Sequence, residues 1–408
     1  MDQQELIPHL FRTEYRKIVS VLCKRFGIGR IEMAEDIASE TFLTAAQTWA
    51  IHGAPPNPVA WLYTVARNKA FNTLHRDALF AESIAPGLPI GEPEHSGDDI
   101  DLSSENISDS QLQMMFAICH PSIPPEAQIG LSLRILCGFG IDEIADAFLA
   151  NKETINKRLF RAREKLREEK IAIAMPGPAD IADRLPTVLT TLYLLFSEGY
   201  YSVSQDRTLR KELCLEAMRL CTMLADNPRT NTPEVNALLA LMCFHASRFD
   251  ARVNGSGELI LYEEQDPNLW NADLISRGGE YLHRASEGRV VSKYHLEAAI
   301  AYWHTRRADS AEKWESILRL YDQLLATAYS PMAALNRIYA LSKVGGKRSA
   351  IEDAERLEMT DNHLYLLLLG ELYTGIDNAK AREHLRRALE LAKTESDRKV
   401  IQRKFDGL

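Results

Sequence analysis

Apolar residues recur at helical spacing along nearly the whole chain, and the pattern predicts an all-α protein. Over Asp36–Trp49, Ile37, Phe42, Ala45, Ala46 and Trp49 make one helical face, with Glu35, Asp36 and Glu40 around it. The Pro-rich turn Ala54–Pro58 cannot continue that helix. A second helix over Asn57–Asp77 carries Trp61, Leu62, Val65 and Ala66 inward and Arg67, Asn68, Lys69, Asn72, His75 and Arg76 outward. Farther on, Ile141, Ile144, Ala145 and Phe148 form a short stripe. A break follows at Ala150–Lys152, and then a second stripe of Ile155, Leu159, Ala162 and Leu166. Two short helices joined by a tight turn, the second strongly basic, make a helix-turn-helix pattern.

Charge sharpens this picture. Residues 151–170 hold eight Lys/Arg against four Glu, so the second helix can bury one side and offer the other to phosphates and base edges. Residues 81–110 hold eight Asp/Glu and no Lys or Arg, which reads as a flexible acidic linker between two modules with basic faces. The net charge of −9 argues against a protein that coats nucleic acid generally, but the local distribution matters more than the sum.

The helices of residues 36–77 closely resemble region 2 of bacterial sigma factors, and the helix-turn-helix resembles region 4. Their order, the acidic linker and the lack of larger middle regions resemble the extracytoplasmic-function (ECF) group of the sigma-70 family, over residues 8–172. The resemblance implies two small helical sigma modules, residues 1–80 and 111–174, with the linker at 81–110. It also implies partners: core RNA polymerase, through the β′ clamp helices and the β flap, and promoter DNA. By match with the family, Asp36, Glu40, Phe42 and Trp49 are expected on the clamp, the last two being equally suited to the module's core. Asn68 and Asn72 match the −10 reader that holds an unpaired base by its edge, with Arg67, Lys69 and Arg76 on the backbone. In the pattern Thr154-Ile155-Asn156-Lys157-Arg158, Asn156, Lys157 and Arg158 are expected to read −35 bases, and Lys152, Thr154 and Arg161 to hold phosphates. Glu153 stands where the family has a small residue. It suits the helix dipole but not a phosphate, so an unusual −35 preference is expected.

A minimal ECF factor would stop near Lys170, and a break at Met175–Pro178 starts new helical material. Residues 178–272, with segments Thr190–Tyr201, Leu213–Leu224, Pro233–Arg252 and Glu258–Asn271, resemble the helical extension of an ECF subgroup. That subgroup reads F-N-E-G-Y where this chain has Phe196-Ser197-Glu198-Gly199-Tyr200, so any role of the Asn does not carry over. Residues 273–408 are expected to form tetratricopeptide-like repeats. Leu366, Leu369, Gly370 and Tyr373 have the W-x-x-L-G-x-x-Y spacing with Leu first, and Ala381, Leu385 and Ala388 follow one residue early. About three degenerate hairpins over residues 273–393 would make a short α-solenoid.

Composition excludes other classes. At 408 residues and 46% apolar content, two or three packed domains are expected. No apolar run approaches the roughly 18 residues that span a bilayer, and no signal peptide opens the chain, so a cytoplasmic protein without membrane contact is expected. The cysteines at 23, 119, 137, 214, 221 and 243 lack metal spacing and read as buried, reduced thiols. No catalytic residue, metal or cofactor is expected. His245, Arg248, Arg252, Glu264, Asp266 and Trp270 have no nucleophile–base spacing; they read as buried salt bridges between helices or as a small ligand or peptide pocket. The expected function is a transcription initiation factor with −10 and −35 recognition. The C-terminal extension is expected to be a fused regulatory module in contact with the sigma modules. The alternative is a tetratricopeptide-type scaffold with a DNA-tethering helix-turn-helix and no polymerase role.

Overall fold

A computed structural model of the chain describes residues 3–84, 100–148, 150–200, 211–252, 260, 262–392 and 394–408, and among these every regular element is helical. The described residues fall into two compact units, 1–191 and 192–408.

In the first unit, α1 (Gln3–Phe26), α2 (Ile31–His52) and α3 (Pro58–Ile84) pack on one another. Ile18 and Leu22 of α1, Ala38 and Ala45 of α2 and Leu62 and Ala66 of α3 are fully buried. Gly53, at a positive φ, ends α2, and Asn57 accepts from the Ala60 amide to restart the chain after the Pro pair. Residues 85–99 of the acidic stretch lie outside the described residues. The stretch expected to run as a linker to 110 ends earlier, because Ser103 caps α4 (Ser104–Ile118) by accepting from the Asn106 amide, and Asp101 holds Ser103. Next come α5 (Pro125–Ile135), α6 (Ile141–Ala147) and α7 (Lys152–Glu168), the last capped by Asn151. The stripe of Ile155, Leu159, Ala162 and Leu166 is buried as its spacing predicts.

The two helical groups of this unit rest on each other. Lys24 donates to Asn106 (2.8 Å) and Arg16 to the Leu136 carbonyl (3.3 Å). Glu35, largely buried on α2, takes ion pairs from Arg134 (3.3 Å) and Arg163 (3.9 Å). A break at 178 was expected to begin a separate domain. Instead α8 (Pro178–Tyr200) crosses from one unit to the other, and its first half belongs with unit 1, where Thr191 and Arg184 lie beside Cys119 and His120. A truncation that isolates unit 1 must therefore keep residues up to 191.

The second unit continues with α9 (Lys211–Asp226), α10 (Pro233–Ala246) and the single turn α11 (Phe249–Arg252). The Glu258–Asn271 segment, expected to be helical, shows short 3₁₀ turns at 262–264 and 267–269 where described; Pro267 and the Asp266 side chain impose the second. Then α12 (Ala272–Ala285), α13 (Lys293–Thr305), α14 (Ala311–Thr327) and α15 (Pro331–Val344) follow. The chain ends with α16 (Gly346–Glu355), α17 (His363–Tyr373), α18 (Asn378–Leu391) and α19 (Glu395–Asp406). From α12 onward each helix packs on the next in sequence. Leu366, Leu369 and Tyr373 of α17 bury against Ala381, Leu385 and Ala388 of α18.

Gly370 sets the closeness of that pair. A Cβ there would lie 2.6 Å from Leu385 Cγ, inside van der Waals contact. Gly370→Val is expected to destabilise unit 2 by about 1–3 kcal/mol through overpacking. Denaturant unfolding checks it, and an unchanged midpoint would mean that α17 and α18 can separate without cost.

Candidate nucleic-acid and polymerase surfaces

Six side chains on α3 share one exposed face: Arg67, Asn68, Phe71, Asn72, His75 and Arg76. Positions three and four apart are neighbours on a helix, so these six form one broad stripe, and none of them is used to pack the core. Phe71 is 49% exposed and stacks on His75 with ring centroids 6.3 Å apart and planes within 2°. An exposed aromatic between two asparagines and two arginines has both a π-face and base-edge hydrogen-bonding groups at the surface. Periodicity did not mark Phe71, because an isolated apolar residue on the outer face of an amphipathic helix has no partner in the pattern. Lys69 sits differently. It is half-buried and reaches back 3.2 Å to Glu40 of α2, so two residues expected on separate surfaces form one ion pair.

On α2, Asp36 and Glu40 are exposed. Phe42 and Trp49 are not: each is about 5% or less exposed. Phe42 packs edge-on against Phe11 (5.1 Å) and Trp49 against Trp61 (5.3 Å). Of the two roles weighed for these rings, the structure places them in the core, because rings of that size close the gap between α2 and its neighbours. The apolar groups that α2 does expose are Leu43 and Ile51, at 58% and 78%. Between α1 and α3, Glu14 is buried and accepts a hydrogen bond from the Tyr63 hydroxyl (2.5 Å) and an ion pair from Lys17 (2.9 Å). Burial and the carboxylate together raise the Tyr63 phenol, so it stays protonated and donating.

The short α6 leads through residues 148–151 into α7. Thr154, Asn156 and Arg161 are exposed on α7. Lys152 pairs with Asp142 of α6, and Lys157 with Glu153 one turn back at 2.6 Å. Arg158 is half-buried, its guanidinium 5.3 Å over the Phe148 ring. The carboxylates at 142 and 153 therefore neutralise two of the cations expected to face DNA, at exposed sites where such pairs exchange readily with other partners. Arg163 leaves the basic face: it turns inward to Glu32 and Glu35.

Comparison with known proteins bears on these faces. The sigma-70 region 2 family matches residues 10–79, a span that takes in most of α1, all of α2 and the exposed face of α3. The chain belongs to the sigma-70 family. This family member is 25% identical over 169 residues to RNA polymerase sigma factor YlaC of Bacillus subtilis (strain 168), covering 41% of this chain and 94% of that protein. It is 26% identical over 171 residues to the ECF RNA polymerase sigma-E factor of Haemophilus influenzae, covering 40% and 86%. A family of unknown function (DUF6596) matches residues 184–286. Over 392 residues this sigma-70 family member is 32% identical to uncharacterized protein R00370 of Rhizobium meliloti (strain 1021), covering 93% of this chain and 90% of that protein. The two belong to one family, extension included. No solved structure matches the chain. Among the described residues no helix is long and apolar enough to cross a membrane, and no cluster of side chains could hold a metal ion. None of the six cysteines forms a disulfide, and all but the half-buried Cys137 are buried.

Proposed function

We propose that this sigma-70 family member binds core RNA polymerase and directs it to promoters. In this reading α3 traps unpaired −10 bases, α7 reads the −35 element, and unit 2 is a fused regulatory module that contacts the sigma modules. One observation carries the proposal: the exposed face of α3, where Asn68 and Asn72 flank the Phe71–His75 ring stack between Arg67 and Arg76. Strand separation needs a platform for unstacked bases, hydrogen-bonding groups for their edges and cations for the backbone, and these are the three kinds of group on that face. The exposed Asp36, Glu40 and Leu43 of α2 suit a basic, partly apolar surface, which supports a clamp-helix contact of the polymerase β′ subunit. Region 4 then faces the β flap. Run-off transcription with core polymerase on a promoter library tests the whole reading. Transcripts that depend on defined −10 and −35 elements are expected; none above core alone would overturn it.

The −35 assignment divides by residue. Arg158→Ala is expected to weaken binding in a base-specific way by about 1–3 kcal/mol, the worth of a bidentate base contact. Arg161→Ala should weaken all sequences alike and reduce the salt slope by about one. Filter-binding or anisotropy titrations across −35 variants and salt concentrations separate the two. Equal losses on every variant would remove the distinction between reader and phosphate clamp.

A further inference from the structure

Unit 2 encloses a cavity of about 880 Å³, a size suited to a small organic molecule. Its walls are mostly apolar, with Phe196, Leu238, Met242, Ile300 and Trp314 among them. At one end a guanidinium stands inside. Arg248, in the turn after α10, is only 9% exposed. Its Nη2 reaches the Tyr200 hydroxyl at 3.4 Å and His245 Nδ1 at 3.5 Å, both at the limit of a hydrogen bond, and its Nε has no partner. The guanidinium lies 5.4 Å over the Tyr262 ring. Beyond that ring, Lys313 is 2% exposed and donates to the Tyr262 hydroxyl and the Arg306 carbonyl, both at 3.0 Å. His304, another wall residue, has a buried Nδ1 without a partner.

Buried cations ordinarily sit against carboxylates, since an uncompensated charge in a low dielectric costs several kcal/mol. Neither Arg248 nor Lys313 has a carboxylate partner among the described residues. The histidines give no compensation either; burial and the facing guanidiniums hold both neutral. The carboxylates that line the cavity are already engaged. Glu263 pairs with Lys343 and Tyr339, Glu371 with Lys404, Asp397 with His363, and Glu297 takes a hydrogen bond from Tyr193. The unmet demand in this cavity is therefore for negative charge and not for a cation.

We propose that this cavity binds a small organic anion, a carboxylate or phosphate group on an apolar body, with the anionic group on Arg248 and His304 and the body along Phe196, Met242 and Trp314. The Phe196–Tyr200 motif that the sequence singles out then acquires a role: Phe196 and Ser197 form wall, and Tyr200 orients the guanidinium. The proposal stands on unit 2 alone and is independent of any contact with polymerase or DNA.

The test uses the full-length protein and a fluorescent probe, anilinonaphthalene sulfonate, with the uncharged N-phenylnaphthylamine as its counterpart. Saturable binding of the sulfonate to one site per chain is expected, and weaker binding of the uncharged compound. Arg248→Gln should weaken the sulfonate roughly 10- to 100-fold, the usual worth of a hydrogen-bonded charge pair, and leave the uncharged probe unaffected. Ser197→Phe, at a half-buried wall position, should block both probes without touching the guanidinium, and serves if Arg248→Gln loses its cooperative melt. Displacement by benzoate or by phenyl phosphate tells a carboxylate head group from a phosphate one, and either supports the proposal. Equal affinity of the unmodified protein for the two probes would overturn it, as would displacement by benzylamine but by neither anion, or sulfonate binding that survives both substitutions.

Discussion

Replacing Asn68 and Asn72 together by alanine is expected to abolish promoter opening while leaving core-polymerase binding intact. Both side chains are exposed on α3 and neither is part of the core of unit 1, so the folded state loses little; exposed substitutions of this kind fall within about 0.5 kcal/mol. The cost falls on the melted state. Each asparagine that holds an unpaired base edge contributes on the order of 1–3 kcal/mol, and together they offset the cost of the unstacking that opening requires. Polymerase binding, assigned to the acidic face of α2, is not touched. Permanganate reactivity of the −10 thymines measures opening directly, and co-purification with core polymerase controls for assembly. Normal reactivity in the double variant would take α3 out of strand separation.

Acidification is expected to weaken unit 2 well above the pH at which carboxylates titrate. Burial, with the facing charges of Arg248 and Lys313, pushes His304 down to about 3, and burial with Arg248 and Arg252 lowers His245 well below the ordinary range. An unfolded histidine takes its proton near pH 6.5. Between these values the unfolded chain binds more protons than the folded one, so stability rises with pH and falls as pH drops. The contribution is complete above about pH 6.5 and is lost progressively toward pH 3. From His304 alone the loss between pH 7 and 5 comes to about 2 kcal/mol, with His245 acting in the same direction. His304→Phe keeps a ring between Tyr262 and Trp314 and removes the titrating group. It should shrink the pH 7-to-5 loss by about that amount in denaturant titrations. An unchanged pH dependence in the variant would place the sensitivity elsewhere.

The surface face of α3 was legible in the chain because outward Arg67, Asn68, Asn72 and Arg76 and inward Leu62 and Ala66 follow one helical period. The buried stripe of α7 was legible for the same reason. For the rings of α2 and one arginine of α7, the outcome was set by a partner on another helix. Phe42 and Trp49 belong to the α2 face that could serve either a partner protein or the core, and only the arrival of Phe11 and Trp61 decides between them. Arg163 is one of several arginines on α7 in sequence, but Glu32 and Glu35 draw it away from the basic face.

Local periodicity by itself determined that most of the described residues are helical and that α2, α3 and α7 are two-faced, while the order of the region 2 and region 4 patterns is what the family resemblance implies. These are properties of a few turns of helix, set by which side of each turn can leave water. The tertiary structure alone decided that residues 178–191 belong with unit 1, that Arg163 turns to Glu32 and Glu35, and that Phe196, Arg248 and Trp314 surround one cavity whose guanidinium has no carboxylate partner among the described residues. Burial, charge compensation and cavity shape depend on groups distant from one another in the chain, and no spacing rule along the chain reaches that far.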